Sequence, residues 1–269
     1  MSAQSIGIFD SGLGGLTVLK ELKLALPNEK FIYLGDTART PYGSKGYETI
    51  VRYSKECASF LQGKDIKLLV VACNTASSLA LNTLKKEFSC PVIGTINQVV
   101  NSAVDSSHSK KIAVIGTDAT IASGVYEASL KAVDPNVQVY CKPCPLFVSL
   151  VEQGMFEGEI VDKVVELYLA ELKGKDIDVL ILGCTHYPLL KGSIEKYLGP
   201  KVQIVECSKA IAVEVKALLE GTFSLAESEH ILKKDLFCVT DGVARFNSLA
   251  QLFLENSSVS ATRVDLRDF

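Results

Sequence analysis

The chain has 269 residues, with 28 basic and 31 acidic side chains and a net charge of −3. This length exceeds the usual domain of roughly 100 to 200 residues, which favours two domains. The charges form no long basic run, so nucleic acid is not a predicted partner. The amino terminus has no signal core, and no apolar run approaches the roughly 18 residues of a membrane span, so we expect a soluble cytoplasmic protein without a membrane segment.

Short apolar runs rich in Ile and Val alternate along the chain with longer segments of helical period. Such runs are typical of parallel strands covered by helices on both faces, so we predict an α/β protein. The strand candidates in chain order are IGIF, FIYLG, LLVVA, PVIGTI, IAVIG, VQVYC, VLILG and VQIVE. Helices are predicted over residues 15–26, 46–62, 75–87, 97–106, 120–132, 158–172, 189–197, 208–220 and 244–255.

One sequence segment occurs in two similar copies: KDIKLLVVACNT spans residues 64–75, and KDIDVLILGCTH spans residues 175–186, which is 111 residues later. The repeat predicts two pseudo-symmetric, doubly wound domains with mainly parallel sheets and a ligand cleft between them, at the carboxyl ends of the strands. The first domain is predicted to comprise residues 1–97 plus 208–269, and the second residues 98–207. The segment after residue 207 has no counterpart in the repeat, so we expect it to pack on the first half.

Each copy of the repeat places a cysteine, Cys73 or Cys184, after a strand and before polar residues. Free N–H groups at a helix start stabilise a thiolate or bind a carboxylate. They can lower the pKa of a thiol from about 8.5, which makes it usable as a base near neutral pH. The alternative is a pair of structural cysteines that end core strands. We expect the eight cysteines to be thiols rather than a disulfide framework.

The segment IGIFDSGLGGLTV, residues 6–18, reads as a strand, a glycine-rich turn and a helix. With Asp36 it mimics parts of a dinucleotide fingerprint, but Thr17 stands where the third glycine belongs. Asp10 would also repel a pyrophosphate. We therefore interpret Asp10 as a group that holds an ammonium or assists a thiol, and Ser11 as a carboxylate ligand; helix capping is the alternative.

Three further signals have both a functional and a structural interpretation. The loop at residues 35–46, GDTARTPYGSKG, follows a strand and is either a ligand loop or an ordinary surface turn. His186 adjoins Cys184 and could tune its thiol or protonate a carboxylate. Cys141 and Cys144 form a C-x-x-C motif, which is typical of redox or zinc sites, but no second cysteine or histidine pair accompanies it. His108 and His230 do not have the spacing of metal ligands.

The segments FDSGLGGLTV, GDTARTPYG, ACNTAS and GCTHYPLL together strongly resemble the bacterial glutamate racemases, a family of cofactor-independent amino-acid racemases. The resemblance runs from Ile6 through VTDGVARF near residue 243. Two departures from the family pattern, Leu13 in the glycine turn and Ser78 after ACNTAS, do not touch the chemistry.

The resemblance implies that Cys73 abstracts the α-proton of D-glutamate and Cys184 that of L-glutamate, with Asp10 and His186 as their assistants. It assigns substrate binding to Ser11, Tyr42, Gly43, Asn74, Thr75, Glu152 and Thr185. It implies no cofactor and no metal, a homodimer, D-glutamate for peptidoglycan as the product, and a cell-wall precursor as a potential activator. Racemisation of aspartate or another amino acid, and a non-catalytic thiol or ligand-binding protein, are the alternatives.

Overall fold

The computed structural model describes residues 4–222, 234–254 and 259–267, which form two sheets. The strands in chain order are β1 (Ser5–Asp10), β2 (Phe31–Gly35), β3 (Ile66–Val71), β4 (Val92–Gly94), β5 (Lys111–Gly116), β6 (Gln138–Pro143), β7 (Val179–Gly183), β8 (Gln203–Glu206), β9 (Leu236–Val239) and β10 (Ala261–Arg263). The first sheet has the order β10-β9-β2-β1-β3-β4 and the second the order β6-β5-β7-β8. All of these pairings are parallel, which confirms the predicted α/β class with two mainly parallel sheets.

Helices cover the sheets. They are α1 (Leu16–Ala25), α2 (Tyr47–Gln62), α3 (Asn74–Leu79), α4 (Leu81–Glu87), α5 (Ile96–Ser106), α6 (Asp118–Ala122), α7 (Val125–Val133), α8 (Leu146–Glu152), α9 (Glu159–Leu169), α10 (Lys191–Leu198), α11 (Cys207–Thr222) and α12 (Val243–Leu254). Short 3-10 helices span Tyr42–Ser44, Ala170–Leu172 and Tyr187–Leu190.

Two predicted helices are divided, and one helix and two strands were missed. The helix predicted over 75–87 breaks at Ala80, and the one over 120–132 breaks at Gly124, whose φ of 67° favours glycine. The sequence did not predict α8, and the strand candidates did not include β9 or β10. The last residue of the helix predicted over 244–255 lies outside the described residues.

The central strands explain the continuous apolar runs in the sequence. Every residue of β1, β3 and β7 is buried, because helices pack on both faces of each sheet. Helix α5 buries Ile96, Val99, Val100 and Ala103 at spacings of three and four residues, which is the helical period of one apolar face. These buried strands fix where their carboxyl ends lie.

The carboxyl-terminal segment returns to the first sheet, as expected. Strand β9 pairs with β2, and β10 pairs with β9. Helix α11 packs against both α1 and α5. Within the described ranges, none of the helices combines the length and the apolar character needed to cross a membrane.

Candidate active site

The duplicated segment places one thiol at the carboxyl edge of each sheet. Cys73 follows β3 and is the N-cap residue of α3, and its carbonyl oxygen accepts the Ser77 N–H at 2.8 Å. Cys184 follows β7 directly, and its carbonyl oxygen accepts the Tyr187 N–H at 3.2 Å. Both cysteines are nearly closed to solvent, with 4% and 6% exposure. The two thiols therefore occupy equivalent positions in the two halves.

Two glycines let the halves meet closely. A Cβ atom on Gly14 would lie 2.3 Å from Thr185 Oγ1 and 2.5 Å from His186 Nδ1. A Cβ atom on Gly43 would lie 2.4 Å from the Cβ of Thr117. Real Cβ atoms do not approach other atoms this closely, so these side chains of the second half can lie against the backbone of the first half only because both positions are glycine. The glycine turn of the first half therefore lies directly against the second half.

Asp10 ends β1 and is fully buried at this contact. Its Oδ2 accepts the Gly12 N–H at 2.9 Å, and its Oδ1 accepts the Thr185 hydroxyl at 3.3 Å. Burial raises the pKa of Asp10, although the charge of His186 and these hydrogen bonds oppose the shift. The N-cap residue of α1 is Gly15 rather than Asp10. The carboxyl group faces the second half instead of capping the helix.

Cys73 is a protonated thiol near neutral pH. Burial raises its pKa to about 12, and the nearby charge of Asp10 adds to the rise. Hydrogen bonds from the Ala76 N–H and the Ser11 side chain oppose it. The expectation that the helix start lowers the pKa is therefore wrong for Cys73, because desolvation outweighs the N–H groups of this short helix.

The charged side chain beside Cys184 is a histidine, whereas the one beside Cys73 is a carboxylate. His186 Nδ1 lies 3.8 Å from Cys184 Sγ, and His186 Nε2 lies 2.8 Å from Glu152 Oε1. Burial lowers the pKa of His186, but the hydrogen bonds and charges of Cys184 and Glu152 raise it well above its ordinary value. The resulting imidazolium places a positive charge next to the Cys184 sulfur.

Glu152 reaches the site from the end of α8, the helix that the sequence did not predict. Burial raises its pKa, but the His186 hydrogen bond and the charges of His186 and Arg245 bring it below its ordinary value. The Arg245 guanidinium, from α12, also donates to the Glu152 carbonyl oxygen. The carboxyl-terminal return thus contacts the helix that holds the carboxylate.

Three threonine hydroxyls form a cluster across the two halves. Thr75 Oγ1 lies 2.9 Å from Thr117 Oγ1 and 3.2 Å from Thr120 Oγ1. The sequence interpretation named Thr75 but missed the other two. The signal was present, because TDAT directly follows the strand IAVIG. Polar residues in that position lie at the carboxyl edge of a parallel sheet.

The remaining predicted residues fall into different environments. The Asn74 side chain is buried beside the threonine cluster, and its Oδ1 accepts the Thr95 hydroxyl at 2.8 Å. The Tyr42 hydroxyl donates to Asp36 and lies 3.7 Å from Cys57 Sγ. The Tyr42 phenol is therefore engaged within the first half, and the Tyr42 carbonyl oxygen accepts the Lys45 N–H at 3.0 Å.

The other cysteines and histidines form no metal cluster within the part of the chain that the structure describes. All eight cysteines are free, as expected. Cys141 lies in β6, and Cys144 follows that strand with its thiol directed at the Lys142 carbonyl oxygen. His108 lies in an exposed turn, and His230 falls outside the described residues.

Residues 11–215 match the family model described as Asp/Glu/Hydantoin racemase. The glutamate racemase of Aquifex aeolicus is 57% identical over 82% of this chain and 86% of its own length. That of Sulfurihydrogenibium sp. is 46% identical over 98% of both chains.

Solved structures show the same similarity. A glutamate racemase isoform of Bacillus anthracis is 38% identical over 99% of both chains, with a TM-score of 0.95. The Francisella tularensis glutamate racemase, solved with D-glutamate, has the same identity and coverage and a TM-score of 0.91. The Escherichia coli glutamate racemase, solved with L-glutamate and the activator UDP-MurNAc-ala, is 25% identical over 93% of this chain and 95% of its own, with a TM-score of 0.80.

Proposed function

The chain belongs to the Asp/Glu/Hydantoin racemase family, and we propose that Cys73 and Cys184 carry the proton in its reaction. It racemises glutamate and is therefore an isomerase, which supplies D-glutamate for peptidoglycan. The observation that most supports the two thiols is their equivalent placement at the carboxyl ends of β3 and β7.

Inversion at carbon requires two proton-transfer groups, because one base returns the proton to the face from which it came. From L-glutamate, the Cys184 thiolate takes the α-proton, and the electron pair left on the α-carbon spreads into the carboxylate. The Cys73 thiol then gives its proton to the opposite face, which yields D-glutamate and a Cys73 thiolate. The reverse reaction starts from that state. Neither direction consumes an oxidant or another reactant.

The residues around the thiols have complementary tasks. We assign the substrate carboxylates to Ser11, Asn74, the threonine cluster, Thr185 and the backbone of Tyr42 and Gly43, because hydroxyl and N–H donors bind carboxylates. Asp10 assists Cys73 and holds the ammonium group. His186 assists Cys184, and Glu152 keeps His186 protonated. The burial of these groups strengthens their electrostatic effect on the developing negative charge.

Four wider features belong to the same proposal. The first domain comprises residues 1–97 plus 208–269, and the second comprises residues 98–207. The sheet membership of β9 and β10 supports this division. The protein acts in the cytoplasm and as a homodimer, for which light scattering should give twice the mass of one chain. A cell-wall precursor, the class of activator bound to the Escherichia coli relative, is a candidate regulator.

The test of the proposed function is optical. Purified, reduced protein is incubated with L-glutamate without added cofactor, and the rotation of polarised light is followed. We expect the signal to fall to zero as equal amounts of the enantiomers form. Protein that is inactive alone is retested with UDP-MurNAc-ala and then with a panel that includes aspartate. Failure with glutamate under both conditions would contradict the proposal.

A further inference from the structure

Several donors converge on the side-chain oxygen of Asn74, the residue after Cys73. Its Oδ1 accepts the Tyr126 hydroxyl at 2.6 Å and the Thr95 hydroxyl at 2.8 Å, and the Cys207 thiol lies at 3.4 Å. A carbonyl oxygen has two lone pairs, so these groups saturate it. With the oxygen on these hydroxyls, the amino group of the carboxamide faces the opposite way.

The other end of the same carboxamide has no such partner. Asn74 Nδ2 is buried and lacks a hydrogen-bond partner among the described residues. A buried N–H donor without an acceptor carries a substantial free-energy cost, and native structures rarely retain one without a function. A substrate carboxylate would satisfy it.

Tyr126 connects this donor to the other half of the site. Its ring packs on Gly183, the residue before Cys184, where a Cβ atom would lie 3.2 Å from Tyr126 Cε2. Its hydroxyl lies 3.3 Å from Cys207 Sγ, and that sulfur lies 3.2 Å from the Leu182 carbonyl oxygen. Tyr126 therefore packs on β7, the strand that precedes Cys184, and its hydroxyl binds Asn74, the residue after Cys73.

We propose that Tyr126 is a positioning residue that holds the Asn74 carboxamide with Nδ2 directed at a substrate carboxylate. This inference rests on the proposed function, because it takes glutamate as the ligand. Tyr126 belongs to the second half and Asn74 to the first, so this hydrogen bond crosses from one half to the other, whereas the Thr95 hydrogen bond lies within the first half.

The test is a double-mutant cycle with Tyr126→Phe and Asn74→Ala, read as kcat and KM for both enantiomers. A carboxylate contact binds the substrate and the transition state alike, so its loss raises KM more than it lowers kcat. We expect Tyr126→Phe to raise KM about tenfold, the effect of one misplaced charge-assisted hydrogen bond. In the Asn74→Ala background the same change should have almost no further effect.

Tyr187→Phe is the matched control. Tyr187 is equally buried, and its hydroxyl donates to the Cys144 carbonyl oxygen at 2.8 Å, away from Asn74. Its effect on KM should be small and should be the same in both backgrounds. If circular dichroism shows that Tyr126→Phe does not fold, Thr95→Val enters the same cycle, since Thr95 supplies the other hydroxyl to Oδ1.

Each outcome decides a separate point. An unchanged KM in Tyr126→Phe, or an equal rise with and without the Asn74 side chain, would overturn the positioning role in a protein that still racemises glutamate. In the Thr95→Val cycle, an equal rise of KM with and without the Asn74 side chain would likewise contradict the positioning of the carboxamide by these hydroxyls. A parent protein without glutamate racemisation would instead overturn the proposed function on which the inference rests.

Discussion

The Cys73 side and the Cys184 side of the cleft are copies in sequence but opposites in charge. Cys73 lies beside the buried carboxyl group of Asp10, and burial raises its pKa to about 12. Cys184 lies beside His186, whose imidazolium is held by Glu152. The duplication thus determines where the thiols lie, whereas residues outside the repeated strands determine the charge beside each thiol.

This difference assigns a starting state. In the proposed mechanism Cys73 begins as the acid in the conversion of L-glutamate to D-glutamate, because its pKa of about 12 keeps it protonated. The enantiomers are equally stable in water, so kcat/KM must be the same in both directions. The asymmetry between the two sides must therefore show in the pH profile and in kcat and KM taken separately.

Removal of either thiol should have the largest effect. Cys73→Ala and Cys184→Ala each delete one proton-transfer group, so we expect racemisation in both directions to fall by about 10²–10⁴-fold. Polarimetry with each enantiomer measures this. Cys238→Ala is the control, because Cys238 is also a buried free thiol but lies in β9. Full activity in either site variant would show that the sides are not both required.

His186→Gln should remove the positive charge beside Cys184 and leave the surroundings of Cys73 unchanged. The Cys184 sulfur loses its positive neighbour, so we expect kcat/KM to fall about 10²-fold and the alkaline limb that follows deprotonation of His186 to disappear from the pH profile. His108→Gln, in an exposed turn, should leave the profile in place. An alkaline limb that persists unchanged in His186→Gln would contradict the role given to the imidazolium.

Asp10→Asn should alter the Cys73 side with a smaller loss of rate. The charge of Asp10 contributes to the raised pKa of Cys73, so this pKa should fall and the thiol should react with iodoacetamide at lower pH. We expect kcat to fall about tenfold, since an assistant rather than the proton carrier is lost. Asp105→Asn, on the exposed face of α5, is the control. A rate of alkylation of Cys73 that does not change with the variant would count against the charge effect.

Glu152→Gln should have the smallest effect, and it separates charge from hydrogen bonding. We expect kcat/KM to fall only about threefold near pH 6, with the alkaline limb moving to lower pH because the pKa of His186 is no longer raised by a carboxylate. The exposed Glu159→Gln is the control. A profile identical to that of the parent protein would show that the carboxylate does not hold the imidazolium.

The same pair predicts how stability depends on pH. The lowered pKa of Glu152 contributes stability above its ordinary value of 4.5, and the raised pKa of His186 contributes stability below its ordinary value of 6.5. The first contribution is lost as pH falls through the pKa of folded Glu152, and the second as pH rises through that of folded His186. The Tm deficit of Glu152→Gln should therefore be greatest, at about 2–4 °C, between about pH 4.5 and 6.5.

The strands and both thiol positions were predictable because their signals are local. Buried parallel strands require continuous apolar runs, and the repeat marks equivalent strand ends. The segment LFVSLVE of α8 lacks such a signal, because a short apolar run is compatible with a strand or a buried helix. Glu152 was identified only through the family resemblance.

The pKa of Cys73 and the contacts between the two halves could not be predicted from the sequence, for a different reason. Helix-start N–H groups indicated a lowered pKa for Cys73, but burial, which depends on the whole fold, has the larger effect. Tyr126 lies within a predicted helix with no adjacent motif, and its contact with Asn74 exists only once the halves have met. Long-range packing decides both features.

Deuterium labelling at early conversion tests the two-thiol account most directly. The parent protein converts L-glutamate in deuterated water, and the product and the recovered substrate are separated and analysed by mass spectrometry. The account predicts deuterium at the α-carbon of D-glutamate, delivered by the exchanged Cys73 thiol, and almost none in the recovered L-glutamate. D-Glutamate that retains the original α-hydrogen would indicate transfer by a single base and would contradict the account.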